Sequence, residues 1–188
     1  MRRWWWLAAV MLTCVHAQDW HTVGLTRFLA ETDTVRVAAG PGGGMAIAEY
    51  GRRDDPNRFW IQADFKPGAE RRGAVYLVFG ALVDSALTLW AGGYDFDTNR
   101  LREGRVSVDS AGQVVIDAVR EKAVEIRDRR DQYVFRFVFH HEDNHIRMDM
   151  NGVPLFVDGP VPVREMTHFG YLVRDAAVRF QPIMVDGK

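Results

Sequence analysis

The feature that most constrains this chain is a regular alternation of apolar and polar residues across residues 133–156. Successive side chains of a strand point to opposite faces, so a period of two predicts strands with one apolar face. Asn151 and Gly152 are the strongest short signal for a hairpin, because a type I′ turn needs positive φ at both central positions. We predict a three-stranded meander whose apolar face holds Phe135, Phe137, Phe139, Ile146, Met148, Met150, Val153, Leu155 and Val157.

The first turn of this meander has the sequence HHEDNH, residues 140–145. Two registers keep the apolar face matched: a two-residue turn, or a four-residue loop that puts His140 opposite His145. Only the second brings two imidazoles within reach of one metal ion, and zinc would still need Glu142 or Asp143 as a third ligand. No recognised ligand spacing is present. We therefore predict a solvated hairpin tip without a metal.

The rest of the chain after residue 17 also predicts short strands separated by turns. Strands are predicted at residues 59–65, 74–79, 86–91, 105–109, 113–119 and 177–185. The third is expected to end at Gly92 and Gly93, and Pro182 suggests an edge or a bulge in the last. Residues 25–31 could form one or two helical turns. Many short strands predict an all-β domain at residues 18–188, a jelly-roll sandwich of two antiparallel sheets, one of them concave.

Residues 1–17 predict a cleaved secretory signal peptide. Two arginines precede an apolar run at residues 4–15, which is too short to span a bilayer, and Val15 and Ala17 fit a cleavage site after Ala17. We expect a secreted or periplasmic protein. A membrane anchor and lipidation of Cys14 are the alternatives, and the residues before Cys14 fit a lipobox poorly.

Composition excludes several classes of function for the mature chain. Cys14 is the only cysteine, so residues 18–188 contain no disulfide. The formal net charge is −1 for the full chain and becomes 22 − 25 = −3 without Arg2 and Arg3 of the signal peptide, which gives no reason to expect a nucleic-acid partner. No apolar run after the signal peptide is long enough to span a membrane.

Residues 90–100 (WAGGYDFDTNR) combine aromatic rings with hydrogen-bonding groups. Rings can cover sugar C–H groups, and a few polar groups in an apolar lining are typical of a small-ligand site. The predicted ligand-binding residues are Trp90, Tyr94, Asp95, Asp97, Asn99 and Arg100. The plain alternative is a polar loop after a strand, with both rings in the core.

The spacing of Asp95, Asp97 and Asn99 also resembles the start of a calcium loop. The EF-hand pattern then requires Gly and Glu where Arg100 and Val106 stand. A looser calcium site is left open, and no other cofactor is expected. Catalytic residues cannot be assigned, because no pair of carboxylates has a diagnostic spacing and no nucleophile or phosphate-loop motif is present.

The order of several short segments resembles a known superfamily. They are residues 42–46 (GGGMA), 59–66 (FWIQADFK), 73–77 (GAVYL), 168–172 (HFGYL) and 178–185 (VRFQPIMV). The chain resembles the concanavalin A-like jelly-roll superfamily, and within it the bacterial secreted domains called 3-keto-disaccharide hydrolase-like. The resemblance implies a β-sandwich whose last long strand pairs with the first ones, and a carbohydrate-related function. The family's Asn-Ser-Gly-Ile block is replaced by Arg72-Gly73-Ala74-Val75, which argues against catalysis.

We therefore expect a secreted, non-catalytic module that binds a glycan or another extracellular ligand, such as a protein. Its ligand should bind on the concave sheet or at the loops around it. The first alternative is a carbohydrate-active hydrolase or lyase of the 3-keto-glycoside type, using acids such as Asp64, Asp95 or Asp97. The second is a structural protein-interaction module. Fold alone does not decide among these.

Overall fold

The structure is a computed structural model. It describes residues 19–50, 59–68, 71–124, 133–140, 145–150, 153–156 and 166–186. Within these ranges the secondary structure is β-strand, and no helix is long and apolar enough to cross a membrane.

The strands are numbered along the chain. They are β1 (Trp20–Val23), β2 (Arg27–Ala30), β3 (Val35–Ala39), β4 (Gly44–Glu49), β5 (Phe59–Pro67), β6 (Ala74–Val83), β7 (Ala86–Asp95), β8 (Arg100–Val108), β9 (Val114–Ala123), β10 (Tyr133–His140), β11 (His145–Met150), β12 (Val153–Phe156), β13 (His168–Arg174), β14 (Ala176–Phe180) and β15 (Met184–Asp186).

These strands form two antiparallel sheets. The front sheet has the spatial order β1-β4-β13-β6-β7-β8-β9, and the back sheet has the order β12-β11-β10-β5-β14-β3-β2, with β15 also paired to β5. The predicted all-β jelly-roll sandwich of two antiparallel sheets is confirmed. Val178 of β14 lies opposite Val37 of β3, so the last long strand pairs with an early one, as the resemblance implies.

The core between the sheets follows the period of two. Val75, Leu77 and Phe79 of β6 point toward the back sheet, where they meet Phe65 and Phe180. Each of these five side chains is at most 1% exposed. Burial of one such side chain contributes about 1.5–3 kcal/mol, so this apolar layer holds the two sheets together.

Tyr171 of β13 crosses this core and anchors the break between β14 and β15. Its hydroxyl accepts a hydrogen bond from the Ile183 N–H (2.9 Å) and donates one to the Gln181 carbonyl (3.2 Å). Its ring centroid lies 4.5 Å from that of Phe180. Proline cannot donate to a strand ladder, so pairing with β5 stops before Pro182 and resumes after it. The irregularity predicted at Pro182 is this interruption.

The meander predicted for residues 133–156 is present in the back sheet. Met150 lies opposite Val153 and Met148 opposite Leu155, the register expected from the turn at residues 151 and 152. Both methionines are buried in the core between the sheets. The two turn residues themselves lie outside the described residues.

The helical turns considered for residues 25–31 are not formed. Strand β2 occupies this segment and pairs with β3, with Phe28 opposite Val37. Phe28 packs against Trp20 with 5.2 Å between ring centroids, while Arg27 and Leu29 are exposed. Pairing with a neighbouring strand therefore overrides the weak local helix preference.

Strand β7 also extends further than the sequence predicts. It runs through Gly92 and Gly93 to Asp95, although glycine pairs commonly end strands. Gly93 lies opposite Tyr76, and a Cβ at position 93 would collide with the Val75 carbonyl and lie 2.6 Å from Tyr76 Cδ1. The glycine is thus required by a close approach of neighbouring strands, not by a turn.

We predict that Gly93→Ala lowers the free energy of unfolding by about 1–3 kcal/mol or more, because the methyl group has no space beside backbone atoms. Gly40→Ala is the matched control, since a Cβ there meets nothing within 4 Å. It should change stability by less than about 0.5 kcal/mol. Chemical denaturation followed by circular dichroism measures both, and equal stabilities would contradict the packing argument.

Candidate functional site

The front sheet curls until its last strand approaches the turn before β4. The Val114 N–H donates a hydrogen bond to the Gly42 carbonyl at 3.0 Å. The face of this sheet that points away from the back sheet is therefore concave, and it buries a second apolar cluster that includes Ile47, Val78 and Leu172. We call it the concave face.

A cavity of about 230 Å³ opens on the concave face. Its lining includes Tyr76, Arg102, Gln113, Ile116, Leu172 and Arg174. Two guanidinium groups, a phenol and an amide thus share one depression with aliphatic side chains. We call this depression the concave cavity. Such a mixture of apolar lining and a few polar groups suits a small polar ligand.

Asp95 lies beside this cavity and is completely buried. Its Oδ1 accepts hydrogen bonds from the N–H groups of Asp97 (3.0 Å) and Thr98 (3.1 Å). Its Oδ2 lies 2.7 Å from Arg174 Nη2 and 3.5 Å from Arg102 Nη1. A buried carboxylate is costly unless it is paired and hydrogen-bonded, and here both oxygens have donors.

The ion pairs continue from Arg102 along the sheet. Arg102 Nε lies 2.7 Å from Glu121 Oε1, and Arg100 Nη1 lies 3.2 Å from Glu121 Oε2. Bonds at several nitrogen atoms fix the plane of the Arg102 guanidinium. Arg174 and Arg102 keep 38% and 22% of their side chains exposed, so both remain accessible from the cavity while their positions are fixed.

Tyr76 completes the polar part of the cavity wall. Burial raises the pKa of its phenol to about 12, with a further contribution from the nearby Asp95 carboxylate. The phenol therefore stays protonated at neutral pH and can act as a hydrogen-bond donor. Gly93 lies between Tyr76 and Arg102 in the strand register, and its missing side chain leaves room for both groups.

The structure separates the six predicted site residues. Asp95 and Arg100 belong to the ionic cluster beside the concave cavity. Tyr94 points into the core between the sheets, where its hydroxyl lies 3.0 Å from both Asn99 Oδ1 and the Val124 carbonyl. Half-buried Trp90 also packs against that core. Asp97 sits in the turn between β7 and β8, where its carboxylate accepts the Gly73 N–H (3.0 Å).

The residues around Asp95 do not fit a calcium ion. Calcium takes six to eight oxygen ligands, but both Asp95 oxygens accept hydrogen bonds from nitrogen donors and Asp97 Oδ1 accepts from Gly73. Across the described residues, no group of three or more His, Cys, Asp or Glu could hold a metal ion. His140 lies opposite His145, the register of the four-residue loop, while residues 141–144 lie outside the described ranges.

The acids considered for catalysis do not share one cleft. Asp95 and Asp97 belong to the front sheet and its turn, and Asp95 is sealed from solvent. Asp64 lies in β5 of the back sheet, next in alternation to buried Ala63 and Phe65, and so faces away from the core. A pair of acids that acts on one bond must lie on either side of that bond, and Asp64, Asp95 and Asp97 do not form such a pair.

The sequence did not identify Tyr76, Arg102 and Arg174 as site residues. It also did not indicate that His21 and His168 lie near each other. Burial lowers the pKa of His168, and the nearby His21 lowers it further while Glu49 opposes this. Alternation within β6, β8 and β13 was the only sequence pattern that marked Tyr76, Arg102 and Arg174, since it shows which face of its strand each residue occupies. Alternation does not predict that these three residues are neighbours, because residues 76, 102 and 174 become neighbours only through strand pairing.

One buried acid lies on the opposite face of the front sheet. Glu103 is 3% exposed, and burial raises its pKa to about 7 against the opposing effect of Arg120. Within the described part of the chain, its Oε2 and the Trp90 indole N–H are buried without a hydrogen-bond partner. Both residues face the core between the sheets, since Glu103 lies opposite Gly92 in the register.

Comparison with known proteins places the fold. No protein-family model and no curated protein sequence matches this chain. The carbohydrate-binding module CBM66 from Bacillus subtilis is similar in structure, with a TM-score of 0.67 and 14% sequence identity over 90% of this chain and 96% of that one. A protein of unknown function with a galectin-like fold, also from Bacillus subtilis, has a TM-score of 0.60 and 11% identity over 89% and 88%. The exoplasmic domain of VIP36, in a form bound to Ca²⁺ and Man3GlcNAc, has a TM-score of 0.52 and 12% identity over 90% and 85%.

We predict that Glu103 makes stability depend on pH. Its pKa is higher in the folded chain than the ordinary value of 4.5, so its favourable contribution is complete below about pH 4.5 and is lost as pH rises through about 7. Glu103→Gln should remove this slope and raise the free energy of unfolding at pH 8 by up to about 3 kcal/mol.

Urea denaturation at about pH 5 and about pH 8 measures this difference. The control is Glu31→Gln, which removes an exposed carboxylate and should leave the slope as it is. The lowered pKa of His168 has the opposite effect on stability over this range, so the comparison is between the wild type and the variant. A difference in stability between wild type and Glu103→Gln that is the same at both pH values would contradict the assignment.

Proposed function

We propose that this protein is a non-catalytic carbohydrate-binding module whose ligand occupies the concave cavity. The observation that carries the proposal is the pair of partly exposed arginines, Arg102 and Arg174, held by the buried Asp95 carboxylate in a cavity of about 230 Å³. This volume approaches the lower end of the range for small-ligand pockets, and we propose that it receives one or two sugar rings.

The polar groups of the cavity suit sugar hydroxyls. Arginine side chains and the Tyr76 phenol donate hydrogen bonds, and the Gln113 amide can both donate and accept. Leu172 and Ile116 supply apolar surface for C–H groups. Because Asp95 and Glu121 already orient the guanidinium of Arg102, little ordering is required when a ligand binds, which favours affinity.

The structural neighbours support a carbohydrate ligand. CBM66 is a carbohydrate-binding module, and the VIP36 domain was solved with Man3GlcNAc. Both match about 90% of this chain in structure, although neither is similar enough in sequence for individual residues to be transferred. We propose that Asp95 and Arg100 support the site. Trp90 and Tyr94 pack on the core side of the front sheet, and Asp97 and Asn99 lie in the turn between β7 and β8, so none of these four contacts a ligand in the concave cavity in this proposal. Export of the chain by the N-terminal signal also belongs to this proposal.

The resemblance to 3-keto-disaccharide hydrolase-like domains offers a hydrolase or lyase as the alternative. Among the described residues, Asp64, Asp95 and Asp97 do not converge, and the hydrogen-bond donors around Asp95 leave it unsuited to act as a general acid or base. Binding without catalysis is therefore the function that we favour.

One feature favours a protein-interaction module as a second candidate. At the tip of the β6–β7 hairpin, Leu82, Val83 and Leu87 are 60%, 40% and 41% exposed. The strand register beside β13 ends at Gly80, so the tip extends beyond that neighbour. Exposed apolar side chains in a cluster are typical of contact surfaces.

We predict that the protein without its signal peptide binds at least one neutral or acidic glycan on an array, and that cavity variants weaken this binding. Gln113→Ala should lower affinity about fivefold, the effect of one lost neutral hydrogen bond, and Arg174→Gln about tenfold or more because a charged donor is lost. Isothermal titration with the best array ligand gives both values.

Gln181→Ala is the matched control, since Gln181 is exposed and lies outside the concave face. Circular dichroism should show that each variant is folded. Absence of any glycan ligand, or wild-type affinity in both cavity variants, would remove the proposal.

A further inference from the structure

The outer face of the back sheet carries a row of positive charges across three adjacent strands. Arg179 of β14 lies opposite Arg36 of β3 on one side and opposite Lys66 of β5 on the other. All three side chains are exposed. Neighbouring strands are about 4.8 Å apart, so three cations follow one another at close spacing.

Such a row is unfavourable for the fold itself. Like charges directly opposite each other in a sheet are destabilising, and the chain as a whole has a net charge of only −1. Arg179 donates a hydrogen bond to Thr34 Oγ1 at 3.2 Å, which orients the guanidinium but does not neutralise it. Departures from favourable sheet pairing are expected where a surface serves a function.

A groove runs along one side of this row. It encloses about 280 Å³, and its floor is made of Ala38, Ala177, Pro67 and Gly68. Arg27 borders it together with the three cations of the row. We call it the cationic groove, and its lining contains four cationic side chains and no carboxylate.

Two acids lie on the other side of the row. Asp33 and Asp64 line a neighbouring depression of about 310 Å³, which shares Lys66 and Arg179 with the cationic groove. Asp175 lines a cavity that shares Ala38, Ala177, Pro67 and Gly68 with the cationic groove, and it lies 3.9 Å from Arg72. The small side chains of the floor let a ligand approach the guanidinium groups closely.

We propose that the cationic groove binds a linear acidic polysaccharide, with carboxylate or sulfate groups on Arg36, Arg179 and Lys66. Arginine forms paired hydrogen bonds to planar oxyanions, and the row provides several such positions in sequence for a repeating polymer. The alanine floor accommodates the flat faces of sugar rings. Single-stranded nucleic acid fits less well, because its binding depends on stacking on aromatic side chains and none lines this groove.

This site is separate from the concave cavity. It lies on the back sheet, whereas the cavity lies on the front sheet. Neither proposal requires the other, and no residue lines both sites.

The test is titration of the protein without its signal peptide with polygalacturonate and with heparin, using dextran as the neutral polymer. Arg36→Gln should lower affinity for the acidic polymers about tenfold, and Arg36→Gln with Arg179→Gln should lower it further. Wild-type affinity should fall steeply with salt, as expected when bound counterions are released, and the double variant should show a smaller salt slope.

Arg105→Gln is the matched control, since it removes the same charge from an exposed position on the front sheet. It should bind like the wild type. Arg36→Gln should unfold at the same temperature as the wild type or a higher one, because a like-charge pair is relieved; weaker binding is then not a result of misfolding.

Several outcomes would overturn the proposal. They are no binding of either acidic polymer above dextran, an equal loss in Arg105→Gln, and tighter binding to poly(dT) or to anionic phospholipid vesicles than to polygalacturonate and heparin. A chain that binds acidic polymers but no array glycan at the concave cavity would retain this inference while the proposed function fails.

Discussion

The concave side of this sandwich depends on one buried carboxylate. Asp95 is completely buried at the end of β7, and an uncompensated charge there would be strongly destabilising. Its two oxygens accept hydrogen bonds from the backbone of the following turn and from Arg102 and Arg174. The same residue thus ends a strand, shapes a turn and fixes two arginines that form part of an open cavity.

Close approach of strands determines what else can surround that carboxylate. The front sheet is packed on both faces, so space for a ring on one strand requires a missing side chain on the next. Gly93 provides it between Tyr76 and Arg102. The polar groups of the cavity therefore depend on the apolar packing, because a larger residue at position 93 would displace the phenol or separate the strands.

The sequence was sufficient to predict the sandwich and the local pairings within it. Alternation and the Asn151–Gly152 signal predicted the register that places Met148 opposite Leu155, because these strands are adjacent in sequence. The concave cavity was not predictable in the same way. Arg174 reaches Asp95 only because β13 pairs with β6, and no local pattern encodes the pairing of strands so far apart in sequence. The prediction that a strand ends at Gly92 and Gly93 was wrong for a related reason. Gly93 is required because the neighbouring strand β6 passes close to it, and the local sequence does not show that contact.

The two sheets use charge in opposite ways, which argues that they have different roles. In the front sheet each described cation of the ionic cluster has an acidic partner. The side chains of Arg100, Arg102 and Arg174 are therefore fixed in position, and their charges are balanced by the neighbouring carboxylates. In the back sheet Arg36 and Arg179 lie opposite each other, and repulsion between them lowers stability. Paired arginines with fixed geometry suit recognition of a particular arrangement of hydroxyls. A row of like charges suits attraction of a polymer with many charges, whose binding does not depend on one exact geometry.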